Sequence, residues 1–111
     1  LLGKRILVTG GAGFIGSHLV DILLENNCFV RVIDNLSNGK KENIKHHFTN
    51  SNFEFINGDI LNEANLKEAM NEINIVFNLA CLGVRHSIIH PFENHRVNAE
   101  GTLLLLKEAY Q

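Results

Sequence analysis

Three consecutive apolar residues, Ile6-Leu7-Val8, stand directly ahead of Thr9-Gly10-Gly11-Ala12-Gly13-Phe14-Ile15-Gly16. A strand sends alternate side chains to opposite faces, so an unbroken apolar run belongs where both faces are covered, as in a parallel sheet flanked by helices. This first strand is therefore expected at the centre of its sheet. Gly10, Gly13 and Gly16 repeat as G-x-x-G-x-x-G, a variant of the dinucleotide fingerprint set at a strand-to-helix junction. In that fingerprint the first glycine allows the tight turn, the second keeps the backbone open to a pyrophosphate, and the third lets helix and strand pack closely. The free N–H groups and positive dipole end of the helix then face the diphosphate. A bare glycine motif also fits a purely structural turn; the strand before it, the helix after it and an acid downstream favour the binding reading.

The rest of the chain alternates short β-branched runs with longer amphipathic stretches, the pattern of βαβ units. Residues 14–26 place Ile15, Leu19, Ile22 and Leu23 on one helical stripe, and Asn26-Asn27 supplies its stop. Residues 29–33 read as the second strand, 35–39 as a polar turn leading into a short charged segment over 40–47, and 53–56 as the third strand. Asn62 caps a helix in which Leu66, Ala69, Met70 and Ile73 share a face, and Ile75-Val76-Phe77 makes a fourth strand. Pro91 suits the first turn of a last helix running toward Tyr110. Right-handed crossovers leave few layouts, and the expected fold is α/β, a Rossmann-type half with four parallel strands in the order 3-2-1-4 and helices on both faces. Strand four is then an edge, and so apolar an edge invites further pairing, so more sheet is expected to follow. No repeat, low-complexity tract or linker divides the 111 residues, which are expected to form one dinucleotide-binding domain.

Composition narrows the partners. A formal net charge of −2 gives no overall basic field for nucleic acid or anionic lipid. The longest stretch without a charge, residues 73–84, is interrupted by Asn74 and Asn78 and falls short of the roughly 18 apolar residues of a bilayer span. The opening Leu-Leu-Gly-Lys-Arg lacks the basic-then-apolar order of a signal peptide and an initiating Met, so its first residue is read as exposed by trimming. Two cysteines, Cys28 and Cys81, are too few for a disulfide scaffold and suit a reducing compartment, which makes a cytoplasmic protein the expectation. A Cys28–Cys81 bridge is excluded by the strand layout, in which strands two and four flank strand one at about 10 Å from each other.

Asp34 falls at the carboxyl end of strand two, close to the separation expected of a carboxylate that accepts hydrogen bonds from the adenosine ribose. A 2′-phosphate would face that charge at short range, so NAD is favoured over NADP. Lys40 and Lys41, beyond the Ser37-Asn38-Gly39 turn, read as a solvated face. Gly58-Asp59-Ile60 follows strand three, where Asp59 either accepts from an adenine amine or is a loop carboxylate beside the next helix cap. His86, His90 and His95 with Glu93 resemble a metal cluster only if a helix spans them, which Pro91 opposes, so no metal site is expected. Residues 103–106, four leucines, fit either a core-facing stripe with exposed neighbours or the surface of a homodimer.

With these residues in place the chain resembles the amino-terminal half of the extended short-chain dehydrogenase/reductase family, the NAD-dependent nucleotide-sugar epimerases and dehydratases. The resemblance is carried by the block from Val8 to Leu19, by Asp34-Asn35-Leu36-Ser37-Asn38-Gly39, by Gly58-Asp59-Ile60 and by Asn78-Leu79-Ala80. Val84-Arg85 with Ser87 and Pro91, and Asn98-Ala99-Glu100-Gly101-Thr102, look like later blocks of the same family. It implies that Phe14 and Ile15 give backbone amides to the diphosphate, with Gly10, Gly13 and Gly16 shaping the turn. Asp34 would bind the ribose, and Asn35, Ser37, Asn38 and Gly39 would surround the adenosine side. Asp59 and Ile60 would clasp the adenine, and Leu79, Ala80 and Cys81 would line the path to the nicotinamide ribose. Asn98 would buttress the sheet end, with Gly101 permitting close packing. Arg85 and Ser87 are the candidate contacts to a nucleotide sugar, expected to be a UDP-linked one from the 34–39 loop.

Two departures stand out. The family's two alanines after strand four are here Ala80 and Cys81, and the stretch before Val84 is a residue shorter, which touches the nicotinamide and sugar sides and leaves the diphosphate side intact. The family's catalytic Tyr-x-x-x-Lys pair does not occur: Tyr110 is the single tyrosine, so no catalytic residue is assigned within these residues, and the base is expected in chain following Gln111. The implied activity is transient oxidation of a sugar hydroxyl by hydride transfer to NAD, in the longer protein. The alternatives are a non-catalytic dinucleotide-binding or sensing module and an inactive truncated product.

Overall fold

A computed structural model describes residues 3–36 and 39–79. In chain order they form β1 (Arg5–Thr9), α1 (Phe14–Glu25), β2 (Phe29–Asp34), two 3-10 turns (Lys41–Asn43 and Lys45–His47), β3 (Phe53–Asn57), α2 (Glu63–Met70) and β4 (Ile75–Asn78). The four strands make one parallel sheet in the order β3-β2-β1-β4, as the sequence pattern predicts. The expected last helix, the leucines at 103–106, Cys81 and the histidines at 86, 90 and 95 lie outside the described residues.

β1 is covered on both faces: Ile6, Leu7 and Val8 have no exposed surface. Ile6 and Val8 point into a core shared with Val20 and Leu23 of α1, with Val30 and Val32 of β2 and with Ile44 and Phe53. Leu7 points the other way, into a core with Ile33, Ile60 and the α2 residues Leu66 and Ala69. The strand period of two thus assigns one helix to each face. Phe48 stacks over Phe53 and Phe55 with ring centres 6.0 and 5.9 Å away, extending the α1 face over β3.

The stripe expected on α1 is corrected. Ile15 and Ile22 are 72% and 55% exposed, and the buried positions are Gly16, Ser17, Val20 and Leu23. Counting apolarity alone selects Ile15, Leu19, Ile22 and Leu23; Leu23 is buried and Leu19 packs half-buried on the core, but the inward line runs through Gly16, Val20 and Leu23 and leaves Ile15 and Ile22 outside. The first contact of α1 is backbone against backbone, which only Gly16 permits, and Val20 and Leu23 follow it at i+4 and i+7. The expected stop holds: Asn26 is the C-cap, its side chain donates to Ile22 O at 2.7 Å, and Asn27 takes φ 59°.

On the opposite face Asn62 caps α2 by accepting from Asn65 N at 3.0 Å. The helix ends at Met70, so Ile73 packs on the α2 core from the following turn, beyond the helix that was expected to carry it. Arg31 secures the helix's other end. Its buried guanidinium donates from Nη1 to Ala69 O at 2.9 Å and to Asn71 O at 2.7 Å, and from Nε to Glu54 Oε2 at 3.0 Å. Carbonyls at a helix carboxyl end lack intrahelical partners and carry partial negative charge, so a cation there serves both needs.

Replacing Arg31 by Leu is expected to destabilise the fold by about 2–4 kcal/mol, since buried carbonyls lose a charged donor. Glu54→Gln is expected to cost less than about 1 kcal/mol, because that carboxylate is half-exposed and its pairing is screened. Urea unfolding of both variants checks the order, and equal losses would show the ion pair to be the larger part.

Candidate functional site

The carboxyl ends of the four strands bring the sequence-predicted residues together. Thr9 ends β1, and Gly10 makes the turn at φ 71°, where a side chain would be strained. Its N–H donates to Ile33 O at 2.9 Å and its carbonyl accepts from Gly13 N at 3.1 Å. A Cβ on Gly16 would lie 2.3 Å from Gly10 O and 2.9 Å from Gly11 Cα, so α1 can start this close to β1 only with glycine there. Gly13 precedes the helix in extended backbone, φ −75° and ψ 175°, and a Cβ there would meet only Gly10 O at 3.3 Å.

α1 therefore opens toward the end of β1 with no side-chain cap and no acidic residue in its first turn. The N–H groups of a first turn have no acceptor within their helix and carry the positive end of its dipole, so this opening suits an anion. Phe14 and Ile15, which begin it, are 76% and 72% exposed.

Asp34 sits beside this opening, 8% exposed. Its Oδ2 accepts from Ala12 N at 3.0 Å and its Oδ1 from Leu36 N at 2.7 Å, which holds Leu36 at φ 64°. Each carboxylate oxygen has two acceptor positions, so the two backbone bonds leave capacity for a further pair of hydroxyl donors. Gly39 returns against the same atoms: a Cβ there would be 2.8 Å from Asp34 Oδ2 and 2.7 Å from Ala12 C. Lys40 N and Asn43 Nδ2 both donate to Ala12 O, at 2.9 and 2.8 Å. Asn35 is exposed next to Asp34.

Asp59 lies at the start of the turn into α2, its Oδ1 accepting from Leu61 N at 2.9 Å and its N–H donating to Asn65 Oδ1 at 3.2 Å. The side chain of Ile60 is 4% exposed and belongs to the α2 core, so only its backbone is left for a ligand. Leu79 follows β4 with its N–H on Thr9 O at 3.1 Å, and Thr9 Oγ1 donates to Asn78 Oδ1 at 2.6 Å. Ser37, Asn38, Ala80, Cys81, Arg85, Ser87, Asn98 and Gly101 lie outside the described residues.

Sequence reasoning missed three members of this arrangement. Ala12 is the hub whose N–H and carbonyl tie the loop to Asp34, Lys40 and Asn43, and backbone atoms leave no mark in a residue pattern. Asn43 sits in a stretch read only as charged. Gly11 falls outside the G-x-x-G-x-x-G spacing, yet a Cβ there would come within 2.6 and 2.7 Å of the Val32 methyl carbons.

A parallel sheet with a glycine turn after its central strand, an open helix start and a carboxylate ending the neighbouring strand define the Rossmann class of α/β folds. The chain belongs to the family described as GDP-mannose 4,6 dehydratase, whose sequence profile matches residues 7–111. It is 43% identical over 105 residues to UDP-glucuronic acid decarboxylase 2 of Arabidopsis thaliana, covering 94% of this chain and 22% of that protein. The structure of an epimerase from Methanothermobacter thermautotrophicus matches with a TM-score of 0.90 at 38% identity, over 97% of this chain and 32% of that one. A UDP-glucose 4-epimerase of Thermus thermophilus, solved in complex with NAD, matches at 0.82 and 37% identity, over 95% and 33%. The chain thus spans between about a fifth and a third of the length of these relatives.

Gly11→Ala is expected to destabilise the chain by about 1–3 kcal/mol through crowding against Val32. Val32→Ala in the same chain makes room for the added methyl. The double variant should therefore fall short of the summed single losses by about 0.5–3 kcal/mol, and additive losses in denaturant unfolding would remove the contact from the account.

Proposed function

We propose that residues 1–111 are an NAD-binding domain, the amino-terminal portion of a nucleotide-sugar epimerase, dehydratase or decarboxylase. The observation that carries this reading is the uncapped start of α1 set beside the nearly buried Asp34 carboxylate. In this reading the diphosphate sits on the Gly10–Gly16 turn against the amides of Phe14 and Ile15, and Asp34 accepts from the two ribose hydroxyls. Asn35, Ser37, Asn38 and Gly39 lie along the adenosine, Asp59 and the Ile60 backbone meet the adenine, and Leu79, Ala80 and Cys81 lead to the nicotinamide ribose. The NAD complex of the Thermus thermophilus epimerase supports the choice of cofactor. A 2′-phosphate would meet the Asp34 charge, which disfavours NADP.

NAD, when bound, supplies a hydride acceptor for a sugar hydroxyl; what these residues contribute is its binding and orientation. Arg85 and Ser87 are the proposed contacts to a nucleotide sugar, with a uridine diphosphate carrier supported by a UDP-glucose 4-epimerase solved with UDP-glucose, 41% identical to this chain. Among the described residues no helix is long and apolar enough to cross a membrane. A cytoplasmic site of action and a homodimer complete the proposal, the first from the low cysteine count and the second from residues 103–106.

Calorimetric titration of the 111-residue chain is expected to show saturable binding of one NAD, weaker binding of NADP, and no turnover of a nucleotide sugar. Gly13→Val is the discriminating variant, because the backbone there is extended and an added Cβ meets one neighbour, Gly10 O at 3.3 Å, which has to give by a few tenths of an ångström. It should lose NAD while still melting cooperatively; retained affinity would sink the loop assignment. Asp34→Ala should weaken NAD by about 1–3 kcal/mol, and unchanged affinity would remove Asp34 from the ribose.

A further inference from the structure

Two turns beyond the start of α1, the side chain of Asp21 meets the second 3-10 turn. His46 Nε2 lies 3.1 Å and His47 Nε2 2.5 Å from the same oxygen, Asp21 Oδ1. One donor atom from each of the three residues lies within 4.8 Å of the other two. The two imidazoles are adjacent in sequence, yet their ring centres are only 3.9 Å apart, tilted by 46°, with both Nε2 atoms turned to one point.

The elements that carry these groups are each fixed by apolar packing in the same core. Asp21 is on a helix packed through Val20 and Leu23, while the turn is anchored by the fully buried Ile44. The His47 side chain is 14% exposed and its ring stands 5.6 Å from that of Phe53. The cluster thus offers one carboxylate oxygen and two imidazole nitrogens to a common point.

We propose that Asp21, His46 and His47 form a binding site for one divalent transition-metal ion of the zinc class, its remaining positions taken by water. Imidazole nitrogen with carboxylate oxygen is a donor set for zinc and its neighbours, whereas calcium and magnesium take oxygen ligands. Bonds of about 2.0–2.2 Å around a tetrahedral ion set the ligand atoms roughly 3.3–3.5 Å apart, so the 2.5 Å contact must open and the widest pair, within 4.8 Å, must close for the hydrogen-bonded cluster to become a coordination sphere. The proposal is independent of the dinucleotide reading. Its structural consequence is a clamp between α1 and the β2–β3 connection, the same connection that closes on Ala12 through Lys40 and Asn43.

The chain, stripped with a chelator, is titrated with Zn²⁺ by calorimetry and with Co²⁺ by visible absorption. Expected are one ion per chain, ligand-field bands of a nitrogen and oxygen site, and a melting temperature that climbs with ion concentration. Asp21→Asn and the double variant His46→Gln/His47→Gln should each bind at least about tenfold more weakly, a loss of the size that removing a ligand shell partner brings. Both are scanned for melting without metal, so that an unfolded variant is recognised, and His46→Gln alone serves if the double variant is unstable. A triple variant His86→Gln/His90→Gln/His95→Gln should bind as the parent does. Absence of saturable uptake, uptake unchanged in both site variants, or loss of uptake in the triple variant would each overturn the proposal.

Discussion

The seat of α1 against the turn after β1 is a contact of backbone on backbone, with the Cα of Gly16 lying where any side chain would strike Gly10 and Gly11. That contact fixes how low the helix lies on the sheet and which of its faces looks inward. Val20 and Leu23 are buried because they follow Gly16 on the same line, and Ile15 and Ile22 are left outside for the same reason. It also determines where the first turn of α1 points, so the packing of the core and the direction of the helix dipole are consequences of one approach distance.

Asp34 joins the parts that this approach brings near. Its carboxylate reaches one amide on the glycine loop and another on its own following loop, and Gly39 returns close beneath it. The bonds are to backbone, not to a cation, so the charge remains available to the space in front of the helix. A carboxylate that closes a loop and shapes a pocket with the same two oxygens couples the order of the loop to the chemistry beside it.

The strand order and the glycine turn were legible from residues alone, because an apolar run on consecutive positions and three spaced glycines each have few structural solutions. The cap at Asn62 and the stop at Asn26 were legible for the same reason: small polar side chains at element ends have one local use. The inner face of α1 was legible only at Leu19 and Leu23, since apolarity cannot reveal that the closest contact is made by the residue with no side chain. Ala12, Asn43 and Arg31 were silent because their roles join positions far apart in sequence through backbone carbonyls and amides. The meeting of Asp21 with His46 and His47 was hidden likewise, its members lying on separate elements.

The sheet order carries a consequence for how the chain assembles. β1 gains its first neighbour from β2, and the loop closes on Asp34 across 22 residues, whereas the bond from Thr9 to Asn78 spans 69. Bringing distant segments together costs chain entropy before the contact returns anything, so the β1–β2 pair with α1 can organise well before β4 arrives. During synthesis the open flank of β1 is then exposed until residue 78 has left the ribosome. A nascent chain stalled in that interval presents the unsatisfied backbone of its central strand, and that is the stage at which a chaperone has most to cover.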